Sequence, residues 1–145
     1  MKDAMGMQVA FTLAEKGTCA RRKIGCNITD AAGHILGEGW NGPPGWSCFD
    51  RPCPDAAVEA GQGAYQEVRC YGVHAEVRAL LDAAPSHDKI HSIYCTKAPC
   101  GRCAEMLIHA TPSHARLVFA VWPNDRSGLE AWSDAGRAYF CLGDG

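Results

Sequence analysis

This 145-residue sequence lacks the features that mark membrane-spanning, secreted and polynucleotide-binding proteins. No apolar run is long enough to cross a bilayer, and Met1 to Ala4 lack the apolar core of a secretory signal. There is no block of basic residues, and the net charge of −2 disfavours a polynucleotide held through its phosphates. Repeats, low-complexity tracts and interdomain linkers are also missing. We therefore expect a single cytoplasmic domain over residues 1–145, with no membrane partner.

Cysteine is the residue that the chain has in surplus, with nine copies. Without a secretory signal, thiols are better explained by metal binding than by disulfides. The apolar fraction of 47% and the charged fraction of 21% are typical of a globular protein with one core. The composition therefore directs attention to metal sites within one folded unit.

Hydrophobic periodicity predicts helices at about 3–16, 73–84, 100–110 and 127–135, and strands at about 24–28, 34–40, 90–96, 116–122 and 137–142. The first two strands read as an antiparallel hairpin, and the later strand–helix alternation predicts parallel strands with helices on the sheet faces. The expected fold class is α/β, a three-layer α/β/α arrangement with a mixed five-stranded sheet. The residues that recur at helical spacing, and are expected to face the core, are Met5, Val9, Thr12 and Leu13, then Val73, Val77, Leu80, Leu81 and Ala84.

Two short motifs fall at predicted helix starts, His74-x-Glu76 and Pro99-Cys100-x-x-Cys103. A catalytic zinc takes three nitrogen or sulfur ligands from the protein and keeps a fourth position for water. His74, Cys100 and Cys103 supply three such ligands, and Glu76 would carry protons beside them. Either motif alone is weak, because Cys-x-x-Cys also occurs in structural zinc sites and redox pairs. Together, in this order, they indicate a catalytic zinc site.

From Cys19 to Val121 the chain resembles the cytidine deaminase superfamily, and within it the deoxycytidylate (dCMP) deaminases. The motifs that carry the resemblance are Cys19-Ala20-Arg21, Gly39-Trp40-Asn41-Gly42-Pro43-Pro44-Gly45, His74-Ala75-Glu76, Tyr94-Cys95-Thr96 and Pro99-Cys100-Gly101-Arg102-Cys103-Ala104. The resemblance implies zinc-dependent hydrolysis of dCMP, or of a 5-substituted dCMP such as 5-methyl-dCMP, with release of ammonia. It also implies a homo-oligomer, either a hexamer or a dimer, whose activity is regulated by dCTP and dTTP.

The same resemblance implies roles around the substrate. Asn41 would contact the sugar or the base, and the carbonyl near Ala98 would accept a hydrogen bond from the exocyclic amine. A cation before the first strand would meet the 5′-phosphate. The predicted substrate-binding residues are Asn41, Ala75, Ala98, Arg21 and Arg22. Trp122 is added as a wall of the pocket because it lies at the end of the fourth predicted strand.

Two positions depart from the dCMP deaminase pattern. Trp40 stands where the branch usually has tyrosine, and Arg78 stands where it usually has asparagine. Arg78 would place a cation on the active-site helix. The usual preference for base or sugar is then in question, and a modified cytosine nucleotide becomes a candidate substrate.

Four further cysteines fall in loops or at element ends: Cys19, Cys48, Cys53 and Cys70. Four thiolates form a closed structural zinc site, which would hold the long loop over residues 41–72. Members of the branch can carry such a second zinc, matching Cys19, Cys48 and Cys70, and Cys53 is our own inference for the fourth ligand. The alternative is that these thiols simply pack as small apolar groups. Cys26, Cys95 and Cys141 lie in predicted strands and are expected in the core.

Three competing functions stay open at this stage. A polynucleotide deaminase acting on tRNA adenosine or single-stranded cytosine is disfavoured by the acidic balance. A non-catalytic zinc module is disfavoured by Glu76, for which a structural site has no use. A deaminase of another free base or nucleoside remains an alternative, because the fold alone does not select the ring.

Overall fold

A computed structural model of the chain describes residues 2–19, 22–43, 47, 49 and 73–143. Its elements in order are α1 (Lys2–Ala14), β1 (Gly25–Thr29), β2 (Ile35–Trp40), α2 (Ala75–Asp82), a short 3-10 helix (Ser86–Lys89), β3 (Ser92–Lys97), α3 (Gly101–Ala110), β4 (Arg116–Val121), α4 (Ser127–Asp134) and β5 (Tyr139–Cys141). Each predicted helix and strand is present, with ends shifted by one or two residues. The 3-10 helix was not predicted. In the described part of the chain no helix has the length and apolar character needed to cross a membrane.

The five strands form one mixed sheet in the order β2-β1-β3-β4-β5. Strand β1 is antiparallel to β2 and β3, whereas β3, β4 and β5 run parallel. This confirms the predicted hairpin and the mixed sheet. Because β1 runs against its neighbours, its first residues lie at the same edge of the sheet as the last residues of β2, β3 and β4. We call this edge the catalytic edge; it receives the starts of α2 and α3.

Helices cover both faces of the sheet, which confirms the three-layer prediction. The larger core lies between the sheet and α2, α3 and α4, and its largest members include Ile28, Ile93, Leu107, Leu117, Phe119 and Trp132. On the other face α1 packs through Met7 and Ala10 against Tyr94 and Val118. Cys26 and Cys95 are fully buried as predicted, and their Sγ atoms lie 3.7 Å apart. Cys141 is half-buried beside the larger core.

The predicted inward face of α1 is only partly correct, because Leu13 is buried as predicted and Val9 is half-buried. Met5 is 64% exposed and Thr12 is exposed, whereas the buried residues are Gly6, Met7, Ala10, Leu13 and Ala14. The reason is close packing: a Cβ on Gly6 would collide with the Tyr94 ring, and one on Gly25 would collide with the α1 backbone. A helix this close to a sheet turns small residues towards the sheet, whereas the prediction had relied on the larger side chains.

The predicted stripe of α2 is partly wrong for the same reason. Leu80 is buried, but Leu81 is 70% exposed, and the remaining buried residues of the helix are Ala75, Glu76 and Ala79. A Cβ on Gly37 or Gly39 of β2 would collide with the α2 backbone. This close approach places the start of α2, and with it the carboxylate of Glu76, at the catalytic edge.

Candidate metal and active site

The three predicted metal ligands come together where α2 and α3 begin. His74 directly precedes α2, Cys100 directly precedes α3, and Cys103 lies in the first turn of α3. Their ligand atoms all lie within 4.8 Å of one another. Nδ1 of His74 is 3.7 Å from Sγ of Cys100 and 3.3 Å from Sγ of Cys103. His74 thus meets two cysteines that lie 26 and 29 positions later in the chain.

These distances fit a tetrahedral zinc site. Zinc bonds of about 2.3 Å to sulfur and about 2.0 Å to nitrogen place the two kinds of ligand roughly 3.6 Å apart. The two observed nitrogen–sulfur separations lie on either side of that value. One imidazole and two thiols are also the donor types that zinc prefers. The residues present therefore fit a zinc held by three protein ligands, as expected of a catalytic site.

The local hydrogen bonds favour a thiolate at Cys100. A hydrogen bond from Cys103, together with one from His74, lowers the pKa of Cys100 to about 3. The pKa of His74 is raised, chiefly by the same hydrogen bond to Cys100, and the pKa of Cys103 is raised by its hydrogen bond to Cys100 and by burial. Because the ligands of zinc must be deprotonated, metal binding would displace the proton that Cys103 otherwise keeps.

Glu76 lies in the first turn of α2 and is only 4% exposed. Burial raises the pKa of its carboxyl group, and the neighbouring His74 partly opposes that rise. Glu76 lines a pocket of about 210 Å³ together with His74 and Cys100. The carboxylate and two of the three metal-type ligands therefore face the same small space.

Four of the predicted substrate-binding residues line this pocket: Arg22, Asn41, Ala75 and Ala98. Trp122 is not among the lining residues of the pocket. Its ring packs edge-on against Phe119 with the centroids 4.9 Å apart, and the Arg126 guanidinium lies 4.5 Å from it. The ring of Trp122 therefore packs beside β4, and its place in the pocket wall stays a prediction. Arg21 lies outside the described residues.

The side chain of Asn41 binds backbone on both sides of its amide. Its Oδ1 accepts a hydrogen bond from the Ile24 N–H at 2.7 Å, and its Nδ2 donates to the Arg22 carbonyl at 3.0 Å. These bonds hold the segment that leads into β1 and place Arg22 at the pocket. The amide thus organises the pocket wall, while its predicted contact with sugar or base stays a prediction.

The guanidinium of Arg78 is directed towards the turn after β2, and Arg78 is not among the residues that line the pocket. Its Nη2 donates to the carbonyls of Gly42 and Pro43 at 3.1 and 3.0 Å, and its guanidinium lies 5.6 Å from the Trp40 ring centre. Gly42 also exchanges two backbone hydrogen bonds with Val73. The turn that carries Asn41 is therefore fastened to the start of α2 from two sides, and Arg78 adds no charge to the pocket.

Two charged pocket residues were missed by the sequence reasoning, Lys97 and Asp125. Lys97 ends β3, and burial, with a smaller effect of Arg22, lowers the pKa of its ammonium group. Asp125 accepts hydrogen bonds from the N–H and the hydroxyl of Ser127 at the start of α4. Lys97 directly precedes Ala98 at a strand end on the catalytic edge, and that position was the available signal.

The second predicted zinc site falls mostly outside the described residues. Cys19 is described and half-buried, whereas Cys48, Cys53 and Cys70 are not among the described positions. Within the described ranges His74, Cys100 and Cys103 form the one group of His, Cys, Asp or Glu suited to a metal. The second zinc therefore stays a prediction.

Comparison with known proteins gives matches of sequence and of structure. A family model described as the cytidine and deoxycytidylate deaminase zinc-binding region matches residues 1–121. Deoxycytidylate deaminase of Saccharomyces cerevisiae is 29% identical over 111 residues, 73% of this chain and 34% of the relative. That of Mycobacterium phage D29 is 28% identical over 109 residues, 72% of this chain and 84% of the relative. The chain spans about a third of the length of the yeast relative.

The fold is shared with a solved dCMP deaminase from the cyanophage S-TIM5. Its apo structure gives a TM-score of 0.70 at 22% identity and covers 97% of this chain and 96% of that chain. Its complex with dCMP and dUMP gives a TM-score of 0.68 at 23% identity, covering 95% and 93%. At this level of identity the similarity shows the fold, including the mixed five-stranded sheet.

Proposed function

This chain belongs to the cytidine and deoxycytidylate deaminase family, and we propose that it is an enzyme that hydrolyses dCMP, or a 5-substituted dCMP such as 5-methyl-dCMP, at C4 of the base. The observation that carries the proposal is the buried carboxylate of Glu76 in the same pocket as His74 and Cys100. A purely structural zinc site has no need of such a group. The choice of dCMP is supported by relatives named deoxycytidylate deaminases and by the solved S-TIM5 complex with dCMP and dUMP.

In this proposal His74, Cys100 and Cys103 hold a catalytic zinc and Glu76 moves the protons. Bound zinc supplies a Lewis acid that makes water acidic enough to act as a nucleophile near neutral pH. Glu76 accepts a proton from the attacking water and delivers it to ring N3. It then takes the remaining proton from the oxygen added at C4 and passes it to the C4 amine, which leaves as ammonia while the oxygen stays on the ring as a carbonyl. A positioned carboxylate that accepts and then donates contributes a large part of such a rate.

The substrate contacts follow from the lining of the pocket. Arg22 and Lys97 would neutralise the 5′-phosphate, with Arg21 a further candidate. The Ala98 carbonyl would accept a hydrogen bond from the exocyclic amine, since the Ala98 N–H is already bound to the Val121 carbonyl and fixes the orientation of the segment. The backbone at Ala75 and the Asn41 segment would border the base and sugar.

Two further features are part of the proposal. The chain would assemble as a homo-oligomer, hexamer or dimer, whose activity dCTP and dTTP regulate, and Cys19, Cys48, Cys53 and Cys70 would bind a second, structural zinc. Metal analysis of the purified protein should give two zinc ions per chain. One zinc per chain would reject the second site and leave the catalytic site in place.

The deciding experiment is ammonia release from a panel of dCMP, 5-methyl-dCMP, dCTP, deoxycytidine, dAMP and guanine, measured with and without dCTP as effector. The proposal expects turnover of dCMP or 5-methyl-dCMP well above that of deoxycytidine, because the nucleoside has no phosphate for Arg22 and Lys97 to bind. Preferential turnover of guanine, deoxycytidine or a tRNA substrate added to the same panel would contradict it.

A further inference from the structure

A second cavity lies at the edge of the sheet opposite the catalytic edge, on the face covered by α1. Its volume is about 310 Å³, and its lining includes Met5, Gly6 and Val9 of α1, Asn27 and Thr29 of β1, and Tyr94 of β3. It shares no lining residue with the catalytic pocket. A volume of this order is at the small end of the range for pockets that bind small molecules.

Asn27 is the unusual residue of this cavity. It lies in the middle of β1, paired through its backbone with Glu38 and Tyr94, and its side chain faces α1. It is 1% exposed, and its Oδ1 has no hydrogen-bond partner among the described residues. A buried amide oxygen without a donor destabilises a protein, whereas a leucine of similar volume there would not. A ligand that donates a hydrogen bond to Oδ1 would explain why asparagine occupies this buried position.

The charged groups that line the cavity already have hydrogen-bond partners within the protein. Arg116 donates to both carboxylate oxygens of Asp3, at 3.1 and 2.7 Å, and Lys2 Nζ donates to the Ala31 carbonyl at 3.0 Å. The carboxylate of Asp30 accepts hydrogen bonds from the backbone of Ala32 and His34. An ionised ligand would therefore compete with these existing contacts, whereas a neutral ligand would leave them in place.

We propose that this cavity binds a small, neutral, planar heterocycle that carries a hydrogen-bond donor next to an acceptor, such as a free nucleobase or an aromatic carboxamide. The amide of Asn27 would pair with that edge, as asparagine amides pair with the edge of adenine. The Tyr94 ring and the apolar side chains of Met5 and Val9 would enclose the ring. This site is separate from the catalytic pocket and does not depend on the proposed deamination.

The test uses the zinc-loaded full chain with adenine and nicotinamide as probes and nicotinate as the charged control, followed by saturation-transfer NMR and calorimetry. We expect adenine or nicotinamide to bind with a dissociation constant of roughly 0.1–1 mM and nicotinate to bind more weakly. Asn27→Leu should weaken binding about tenfold or more while its melting temperature stays at or above that of the wild type. Gln8→Leu, the same kind of change on the exposed side of α1, should bind like the wild type.

A ring bound in the catalytic pocket would not respond to Asn27→Leu, so equal binding by this variant overturns the proposal. So does the absence of binding by both probes to the wild type. Should Asn27→Leu fail to fold, Ile35→Trp provides an independent test, because Ile35 lines the cavity and is half exposed. Filling the entrance should abolish binding, and retained binding would overturn the proposal.

Discussion

At the catalytic edge of the sheet charged side chains point into a pocket, whereas at the opposite edge they pair with one another. Glu76, Arg22 and Lys97 face the catalytic pocket. Asp3, at the other edge, accepts hydrogen bonds from both Arg116 and the Tyr94 hydroxyl, the latter at 2.8 Å. Burying a charge that waits for a substrate costs stability, whereas pairing charges within the protein recovers part of that cost.

This contrast separates residues that serve chemistry from residues that serve the fold. Substitutions at the catalytic edge should reduce zinc binding or turnover with little loss of stability. Substitutions of the paired charges at the opposite edge should lower stability and leave turnover unchanged. The four predictions below test this division, in order of decreasing effect.

Glu76→Gln should produce the largest change. We expect turnover of dCMP to fall by roughly 10²–10⁴-fold, because glutamine can neither accept nor deliver the protons of the reaction. Zinc content should stay at the wild-type level and the melting temperature should not fall, since a neutral amide replaces a buried carboxyl group. Ammonia release, metal analysis and thermal unfolding check the three expectations. Wild-type turnover by this variant would remove Glu76 from the mechanism.

Gly128→Ala should weaken zinc binding without touching a ligand. Gly128 is the second residue of α4 and lies so close to the segment before α3 that a Cβ there would collide with the Pro99 carbonyl and the Cys100 backbone. The displaced Cys100 would lose its orientation, and changes to the support of metal ligands typically cost about 10–100-fold in affinity. Competition with a chelator measures the loss. Ser133→Ala, an exposed position on the same helix, is the control and should bind zinc normally.

Arg78→Met should weaken substrate binding. The variant loses the two hydrogen bonds to the carbonyls of Gly42 and Pro43 that hold the turn carrying Asn41. We expect kcat/KM for dCMP to fall about tenfold, mostly through KM, because the pocket wall loosens while Glu76 and the zinc ligands keep their places.

Two companion variants distinguish this positioning role from a general loss of charge. Arg78→Lys should recover part of the loss, since an ammonium group can still donate to one carbonyl. Arg126→Met removes a cation from the exposed surface beside Trp122 and should leave KM unchanged. A fall in kcat alone for Arg78→Met would contradict the role assigned to the turn.

The two motifs of the candidate zinc site could be predicted from the sequence because the geometry within each motif is local. His74 and Glu76 are two residues apart at the start of one helix, and Cys100 and Cys103 are three apart at the start of another, so spacing alone places each pair. The elements themselves were predictable to within one or two residues because periodicity and turn residues mark them.

The directions of Arg78, Asn41 and Trp122 could not be predicted from the sequence. Arg78 reaches a carbonyl 36 residues earlier in the chain, and no local pattern records that contact. The inward face of α1 was equally hidden, because it depends on how closely the helix approaches Tyr94 rather than on which of its residues are most apolar. Tertiary packing decides such details, and hydrophobic size alone gave a face that was only partly correct.

Asp3→Asn should give the smallest effect, and one confined to stability. The hydrogen bond from Arg116, aided by the Tyr94 hydroxyl, holds the pKa of the Asp3 carboxyl below its ordinary value of 3.8. A carboxylate with a lowered folded pKa stabilises the protein above the unfolded pKa, and that contribution is lost as the pH falls through the folded pKa. Asp3 is 29% exposed in this ion pair, so we expect a loss of up to about 1 kcal/mol at pH 7.

Urea unfolding of the wild type and Asp3→Asn across pH 7 to pH 3 measures this loss. The difference between the two proteins should be constant from pH 7 to about pH 5 and should narrow below about pH 4, as the wild-type carboxyl takes up its proton. Asp134→Asn, an exposed position on α4, should show no such difference. A difference in the free energy of unfolding that stays constant down to pH 3 would contradict this prediction. So would a fall in dCMP turnover for Asp3→Asn at neutral pH. The paired charges would then be acting on more than the stability of the fold.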